Sequence, residues 1–205
     1  MNLLSGIILL VILIFSAILH EIAHGYVAER LGDPTARLAG RLTLNPKNHI
    51  DPMMSIALPL LLLISGSPII FGAAKPVPVD PFNLRDGRKD LAIVSLAGPL
   101  TNILIAIIAS LILRFVPYSI FYYLLSVIVQ LNLLLAIFNL LPIPPLDGSK
   151  IFALLLPEKA AAAFMSLQSM GFLIIFLLLF FPIGGFSLMG FVSSLLAFSL
   201  KLLGL

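Results

Sequence analysis

The chain has 205 residues, of which 60% are hydrophobic and only 10% charged, and its mean hydropathy is +1.17. Soluble chains run nearer half apolar and about a quarter charged, so this composition excludes a soluble globular domain, a disordered chain and a nucleic-acid-binding module. A hydrocarbon core about 30 Å thick needs about 20 apolar residues per crossing, which makes this an integral membrane protein surrounded by lipid. The net charge is +3 and cysteine is absent, so disulfides and thiolate chemistry are also excluded.

In chain order, the first apolar stretch is Leu3 to about Val27. It has no basic n-region and continues beyond signal-peptide length into His20 and Glu21, so it reads as a retained span. Ala36 to Leu44 alternates polar and apolar residues around Gly40, the pattern of a short hairpin or bent strand. The second apolar stretch, Met53 to Phe71, is broken by Pro59, Gly66 and Pro68 and reads as a re-entrant segment. Ala74 to Pro81 alternates again, with prolines that confine it to a sheet edge. Further apolar stretches run from Leu91 to Leu113, Tyr118 to Leu141, about Phe164 to Phe181 and Phe186 to Leu203, the last two joined at Gly184-Gly185. The expected fold is an all-α bundle of about five or six apolar segments with a small membrane-associated β element. The whole chain, 1–205, forms one membrane domain, with a core over 5–150, the re-entrant segment at 53–71 and a C-terminal helical pair over 164–203.

Cytoplasmic loops carry the excess of Lys and Arg. With the N-terminus outside and 53–71 re-entrant, every basic residue except Arg114 can be cytoplasmic, Lys201 included. The expected location is the cell membrane, plasma or inner, with the active site toward the cytoplasm.

Ionisable residues inside an apolar span are functional suspects. His20-Glu21-Ile22-Ala23-His24 is H-E-x-x-H. On a helix, i and i+4 share a face, so the two imidazoles can ligate one zinc while Glu21 serves as base toward an attacking water. From Leu3 to His20, at 1.5 Å per residue, is about 26 Å, which sets the motif within the bilayer but toward the cytoplasmic face. A catalytic zinc takes three protein ligands and keeps one position open. His49 lies in a polar loop and reads as an interfacial residue. Most acids sit in polar connections or at helix ends. Asp147 differs, because Pro142, Pro144 and Pro145 unwind the backbone before it and Gly148 permits a sharp turn. It reads either as a carboxylate at membrane depth or as an N-cap for a helix starting near Ser149. Asn102, in A-G-P-L-T-N at 97–102, reads as an interhelical hydrogen bonder.

H-E-I-A-H followed by N-L-L-P-I-P-P-L-D-G at 139–148 resembles the site-2 protease family of intramembrane zinc metalloproteases. The A-G-P-L-T-N and G-R-L-T-L-N-P stretches extend the resemblance over roughly 5–150. It implies that His20, His24 and Asp147 hold one Zn²⁺ per chain and that Glu21 is the general base. It also implies that Asn139 lies near the reacting carbonyl, where its amide can donate to an oxyanion; the residue-level alternative is a polar helix end before Pro142. The activity implied is hydrolysis of peptide bonds in or near the transmembrane segments of membrane-protein substrates. Two other readings are a zinc transporter and a catalytically inactive membrane scaffold. Transport would need more acidic or His residues in the other spans, and the intact motifs speak against a scaffold.

Overall fold

The computed structural model describes residues 3–57, 61, 64 and 75–205. Helix α1 spans Leu3–Arg30 and α2 Thr35–Leu38, followed by a 3-10 turn at Pro46–His49 and a π-helical turn at Pro52–Ala57. A 3-10 turn at Pro81–Asn83 leads into α3, Gly87–Leu113, and α4 covers Ile120–Asn139. Then come α5, Asp147–Leu154, and α6, Glu158–Ser166, with a 3-10 turn at Leu167–Met170. Helices α7, Gly171–Phe180, and α8, Leu188–Leu202, complete the chain. Four stretches, 6–30, 87–113, 120–139 and 158–180, are long and apolar enough to cross a membrane. The expected all-α membrane bundle is therefore present. Most of the expected re-entrant segment, 53–71, lies outside the described residues.

Helix α3 is the centre of the packing, with α1 and α4 against it. Its buried positions include Ala92, Ser95, Gly98, Asn102, Ala106 and Ala109, a stripe at three- and four-residue spacing along one face. These side chains are small, so neighbouring backbones approach closely, which is how helices associate where lipid removes the hydrophobic drive. The opposite sides of the bundle carry Leu10, Ile14 and Phe15 on α1 and Leu104, Ile108 and Leu111 on α3, all exposed. In a hydrocarbon solvent these faces cost nothing.

Helix α8 runs antiparallel to α4. Leu188 and Val192 pack with Leu141, Ile137 and Phe138 at the end of α4, whereas Leu196, Leu200 and Leu203 pack against the cluster of Ala106, Ala109, Leu113, Val129 and Leu133 toward the other end. A side chain at Gly204 would lie 3.8 Å from the Arg114 guanidinium. Lys201 therefore belongs to the Arg114 end of the bundle, not to the end where the other basic residues cluster. The sequence expectation for Lys201 assumed that the fifth apolar stretch crosses. Instead, Phe164 meets Phe152 edge-on with ring centroids 5.4 Å apart, Gly171 abuts the Pro144 carbonyl, and Leu178 and Leu179 pack beside Leu141. Residues 158–180 thus keep both ends at one end of the bundle.

The expected β element is not found, since no named strand occurs among the described residues. Residues 35–38 are helical and Gly40 turns the chain at φ +64°. Lys75 to Asp80 has no regular structure and forms no ladder. Pro76 and Pro78 have no N–H to donate, and the N–H groups of their neighbours are taken elsewhere. Lys75 donates to the His49 carbonyl at 2.8 Å, Val77 to a Glu21 carboxylate oxygen at 2.7 Å and Asp80 to Asp33 at 2.7 Å. Arg41 Nη2 holds the Lys75 carbonyl at 2.6 Å and that of Pro76 at 3.2 Å. Side chains thus fix this strip where a ladder was expected.

Asp33 is the second anchor of the strip. It is fully buried and accepts from Thr35 N and Oγ1, Asp80 N and Asn83 Nδ2. Burial pushes its carboxyl upward, but these donors prevail and hold it below the ordinary carboxylate value.

The antiparallel α8 makes a direct prediction for single cysteines placed in this cysteine-free chain. Cysteines at Asn48 and Asn83 should react with an impermeant thiol reagent from one side of the membrane, and cysteines at Tyr118 and Leu205 from the other. Labelling of the Leu205 position from the Asn48 side would overturn the arrangement.

Candidate metal centre

The site is assembled from α1, α3 and the start of α5. His20 and His24 lie one turn apart on α1, with ring centroids 4.6 Å apart and planes nearly perpendicular. Both are buried, as is Asp147. His20 Nε2 and His24 Nε2 are 3.0 Å apart, and each is 3.1 Å from Asp147 Oδ2. A tetrahedral ion with bonds of about 2.0–2.1 Å sets its ligand atoms about 3.3–3.4 Å apart. The observed edges are slightly shorter, so a small outward shift of three side chains accommodates such an ion.

The protons show why a cation suits this place. His24 Nδ1 is 2.7 Å from the Val94 carbonyl, which can only accept, so Nδ1 carries the proton and Nε2 presents a lone pair. His20 Nδ1 is 2.6 Å from Asn102 Oδ1. That oxygen also accepts, leaving a second lone pair on His20 Nε2. Two lone pairs and a carboxylate oxygen therefore converge in a buried space. Three acceptors at this separation repel one another unless a cation or shared protons lie between them. Among the described residues, His20, His24 and Asp147 form the one group of His and acidic side chains able to hold a metal ion.

Two glycines make the convergence possible. A Cβ on Gly98 would lie 2.5 Å from Nε2 of both histidines. Pro99 beside it supplies no N–H to the Ser95 carbonyl, which opens the ladder of α3 next to the site. A Cβ on Gly148 would lie 2.2 Å from the Leu140 carbonyl, so only glycine lets the proline-rich turn fold back onto α5. Asp147 is the first residue of α5, but Leu146 is the N-cap and no side chain caps the helix. The Asp147 carboxylate points instead at the histidines, and its other oxygen, Oδ1, receives Lys150 Nζ at 3.3 Å. Arg88 Nη2, from the start of α3, donates to the Ala153 and Leu156 carbonyls and ties the far end of α5 down. A cation on the last carbonyls also suits the helix dipole.

Glu21 is held by the Val77 N–H. Gly25, one turn further on, brings the strip this close: a Cβ there would meet Leu42, Ala36 and Val77 at 2.7–2.9 Å. Asn139 stands apart from the three-residue group, with its Nδ2 donating to the Leu135 carbonyl of its own helix at 2.9 Å. His49 is also outside the group; it is buried and its Nε2 donates to the Thr43 carbonyl at 2.8 Å. Asn102 does bond between helices, as its place in a small-residue stretch implies, and it also fixes His20. Sequence reasoning missed Asn132 and Ser16, which continue that bond. The signal available was a polar side chain inside each apolar span.

The comparisons with known proteins point to one family. The model of Peptidase family M50 matches residues 116–182, which include the whole 139–148 motif. The chain is 38% identical over 193 residues to "Putative zinc metalloprotease YwhC" of Bacillus subtilis, covering 88% of this chain and 83% of that protein. It is 35% identical over 183 residues to "Putative zinc metalloprotease Rip2" of Mycobacterium tuberculosis, covering 86% of this chain and 68% of that protein. No solved structure gives a significant match. The chain belongs to peptidase family M50, the site-2 protease family that its motifs resemble. Its class is that of a metalloendopeptidase.

The contact at Gly98 gives a test that does not depend on turnover. Gly98→Ala should lower the metal content of the purified protein at least tenfold. Gly190→Ala, where the nearest neighbour is 3.6 Å away, should leave it unchanged. Equal metal in both variants would mean that the ion sits elsewhere.

Proposed function

We propose that this chain is an intramembrane zinc-dependent endopeptidase that hydrolyses peptide bonds in or near transmembrane segments of membrane-protein substrates. In this reading His20, His24 and Asp147 hold one zinc ion and Glu21 is the general base. The observation that carries it is the convergence of two imidazole lone pairs and one carboxylate oxygen within 3.0–3.1 Å, both Nδ1 protons being committed elsewhere. The relatives named as zinc metalloproteases support the choice of zinc.

When bound, zinc supplies Lewis acidity, lowering the pKa of water to near 7 and polarising a carbonyl. The protein's own groups do the rest. Val77 N–H anchors Glu21 Oε2 and leaves Oε1 to take a proton from the attacking water and pass it to the leaving amine. Lys150 faces the outer oxygen of Asp147 and keeps the inner one turned to the histidines. Asn139 is assigned as the oxyanion donor, a role for which its amide has to leave the Leu135 carbonyl it now bonds. A substrate helix hides its carbonyls in its own hydrogen bonds, so it must unwind before attack. The non-helical strip 75–80 beside Glu21 is where we place the unwound segment.

The orientation proposed has the N-terminus outside and the site toward the cytoplasm of the cell membrane. Ten of the twelve Lys and Arg residues precede α3, lie in its first turn or follow α4 at the site end of the bundle, Arg114 and Lys201 being the exceptions. Residues 5–150 form the catalytic core, 158–180 wrap its site end, and α8 braces α4.

Purified protein incubated with a membrane-segment substrate should cleave it, and a zinc chelator should abolish the cleavage. Glu21→Gln should keep its zinc and lose about 10²–10⁴-fold in rate. Asp147→Asn should lose both zinc and activity, while Asp80→Asn and Asp86→Asn change zinc little. Cleavage at full rate by Glu21→Gln, or full zinc in Asp147→Asn, would refute the assignment.

A further inference from the structure

A buried polar chain leads from His20 away from the site. Asn102 Nδ2 donates to Asn132 Oδ1 at 2.8 Å. Asn132 Nδ2 in turn donates to Ser16 Oγ and to the Ile128 carbonyl, both at 2.9 Å. Asn102 and Asn132 are fully buried and Ser16 nearly so. The chain joins α4 to α3 and both to α1, at a level where lipid surrounds the bundle.

The direction of every bond follows from one atom. The Ile128 carbonyl can only accept, so the Asn132 side chain must turn its NH₂ toward it and its oxygen toward Asn102. Asn102 must then offer its NH₂ to that oxygen. Its own oxygen is thereby left facing His20 Nδ1, which has to donate. Reversing the Asn102 amide would set two oxygens against each other at Asn132 and would turn an NH₂ toward His20 Nδ1, forcing that nitrogen to accept and moving the proton to Nε2. We infer that Asn132, which touches neither the three-residue cluster nor Glu21, is a positioning residue: through Asn102 it dictates which nitrogen of His20 carries the proton and keeps Nε2 free for the ion. His24 needs no such relay, because Val94 supplies an accepting carbonyl directly.

The inference rests on the proposed metal site, and the experiment separates the two. Three variants isolate what Asn132 does. Asn132→Leu removes the acceptor for Asn102. Asn132→Asp, as the neutral acid, keeps an oxygen facing Asn102 and an O–H facing the Ile128 carbonyl at the same size. Ser16→Ala removes only the bond between Asn132 and α1. Zinc affinity is measured by chelator competition on the full chain in detergent. Loss of a partner behind a ligating imidazole typically costs 10–100-fold in metal affinity, and that is the expected loss in Asn132→Leu. Asn132→Asp should restore most of it, and Ser16→Ala should stay near wild type. A purely structural role would move Ser16→Ala and both Asn132 variants together.

Nitrogen-15 spectra of the zinc-loaded protein give the second reading, with only three histidines to assign. In wild type both ligating histidines should show a hydrogen-bonded Nδ1–H. In Asn132→Leu the His20 signal alone should shift, with His24 as the internal control. Unchanged affinity and an unshifted His20 in a folded Asn132→Leu would overturn the relay. An unprotonated His20 Nδ1 in zinc-loaded wild type would overturn it as well, and needs no variant to fold. Wild type that binds no zinc at all would instead sink the metal site itself.

Discussion

A backbone carbonyl cannot donate a hydrogen bond, and two such carbonyls set the chemistry of this molecule. Val94 fixes His24 directly, and Ile128 stands at the head of the bonds that fix His20. With both Nδ1 atoms committed as donors, the two Nε2 lone pairs have nowhere to point but at each other and at Asp147. The repulsion among these acceptors is the cost that a bound cation removes. The packing around them follows: Gly98 clears the space, Gly148 lets the proline turn return, and Arg88 secures the far end of α5.

Magnitudes show what the polar chain is for. Interhelical hydrogen bonds within membranes average about 0.6 kcal/mol each, so the three bonds linking Asn102, Asn132, Ser16 and His20 supply roughly 2 kcal/mol together. Zinc held by a protein site is worth about 10 kcal/mol or more. As glue between helices the chain is a minor term beside the apolar and small-residue packing of α3 with α1 and α4. Its larger consequence is orientation, since a ligand in the wrong tautomer forfeits part of the greater energy.

The residues of the candidate metal group were legible in the sequence because such side chains are costly to place in lipid. Histidines and acids are rare in this chain, so those within or flanked by apolar sequence stood out. The unwound backbone before Asp147 was visible in its prolines. Local pattern was a poorer guide where side chains overrode it. The alternation at 36–44 and 74–81 suggested strands, but Glu21, Asp33 and Arg41 take backbone groups that a ladder would use. The fifth apolar stretch had the length of a crossing, yet the 3-10 turn at Leu167–Met170 and the seat of Gly171 against Pro144 return it to the site end. Asn132 shares its apolar span with Gln130 and Asn139, and which of these three amides faces a partner becomes visible only once the helices are packed.

The central claim is that two imidazoles and one carboxylate hold the ion, and X-ray absorption at the zinc edge of the purified protein tests it most directly. The predicted first shell contains two imidazole nitrogens, marked by their ring scattering, and oxygen ligands, all at about 2.0–2.2 Å. A shell with three imidazoles, which in this chain would have to include His49, or with no imidazole scattering at all, would contradict the account.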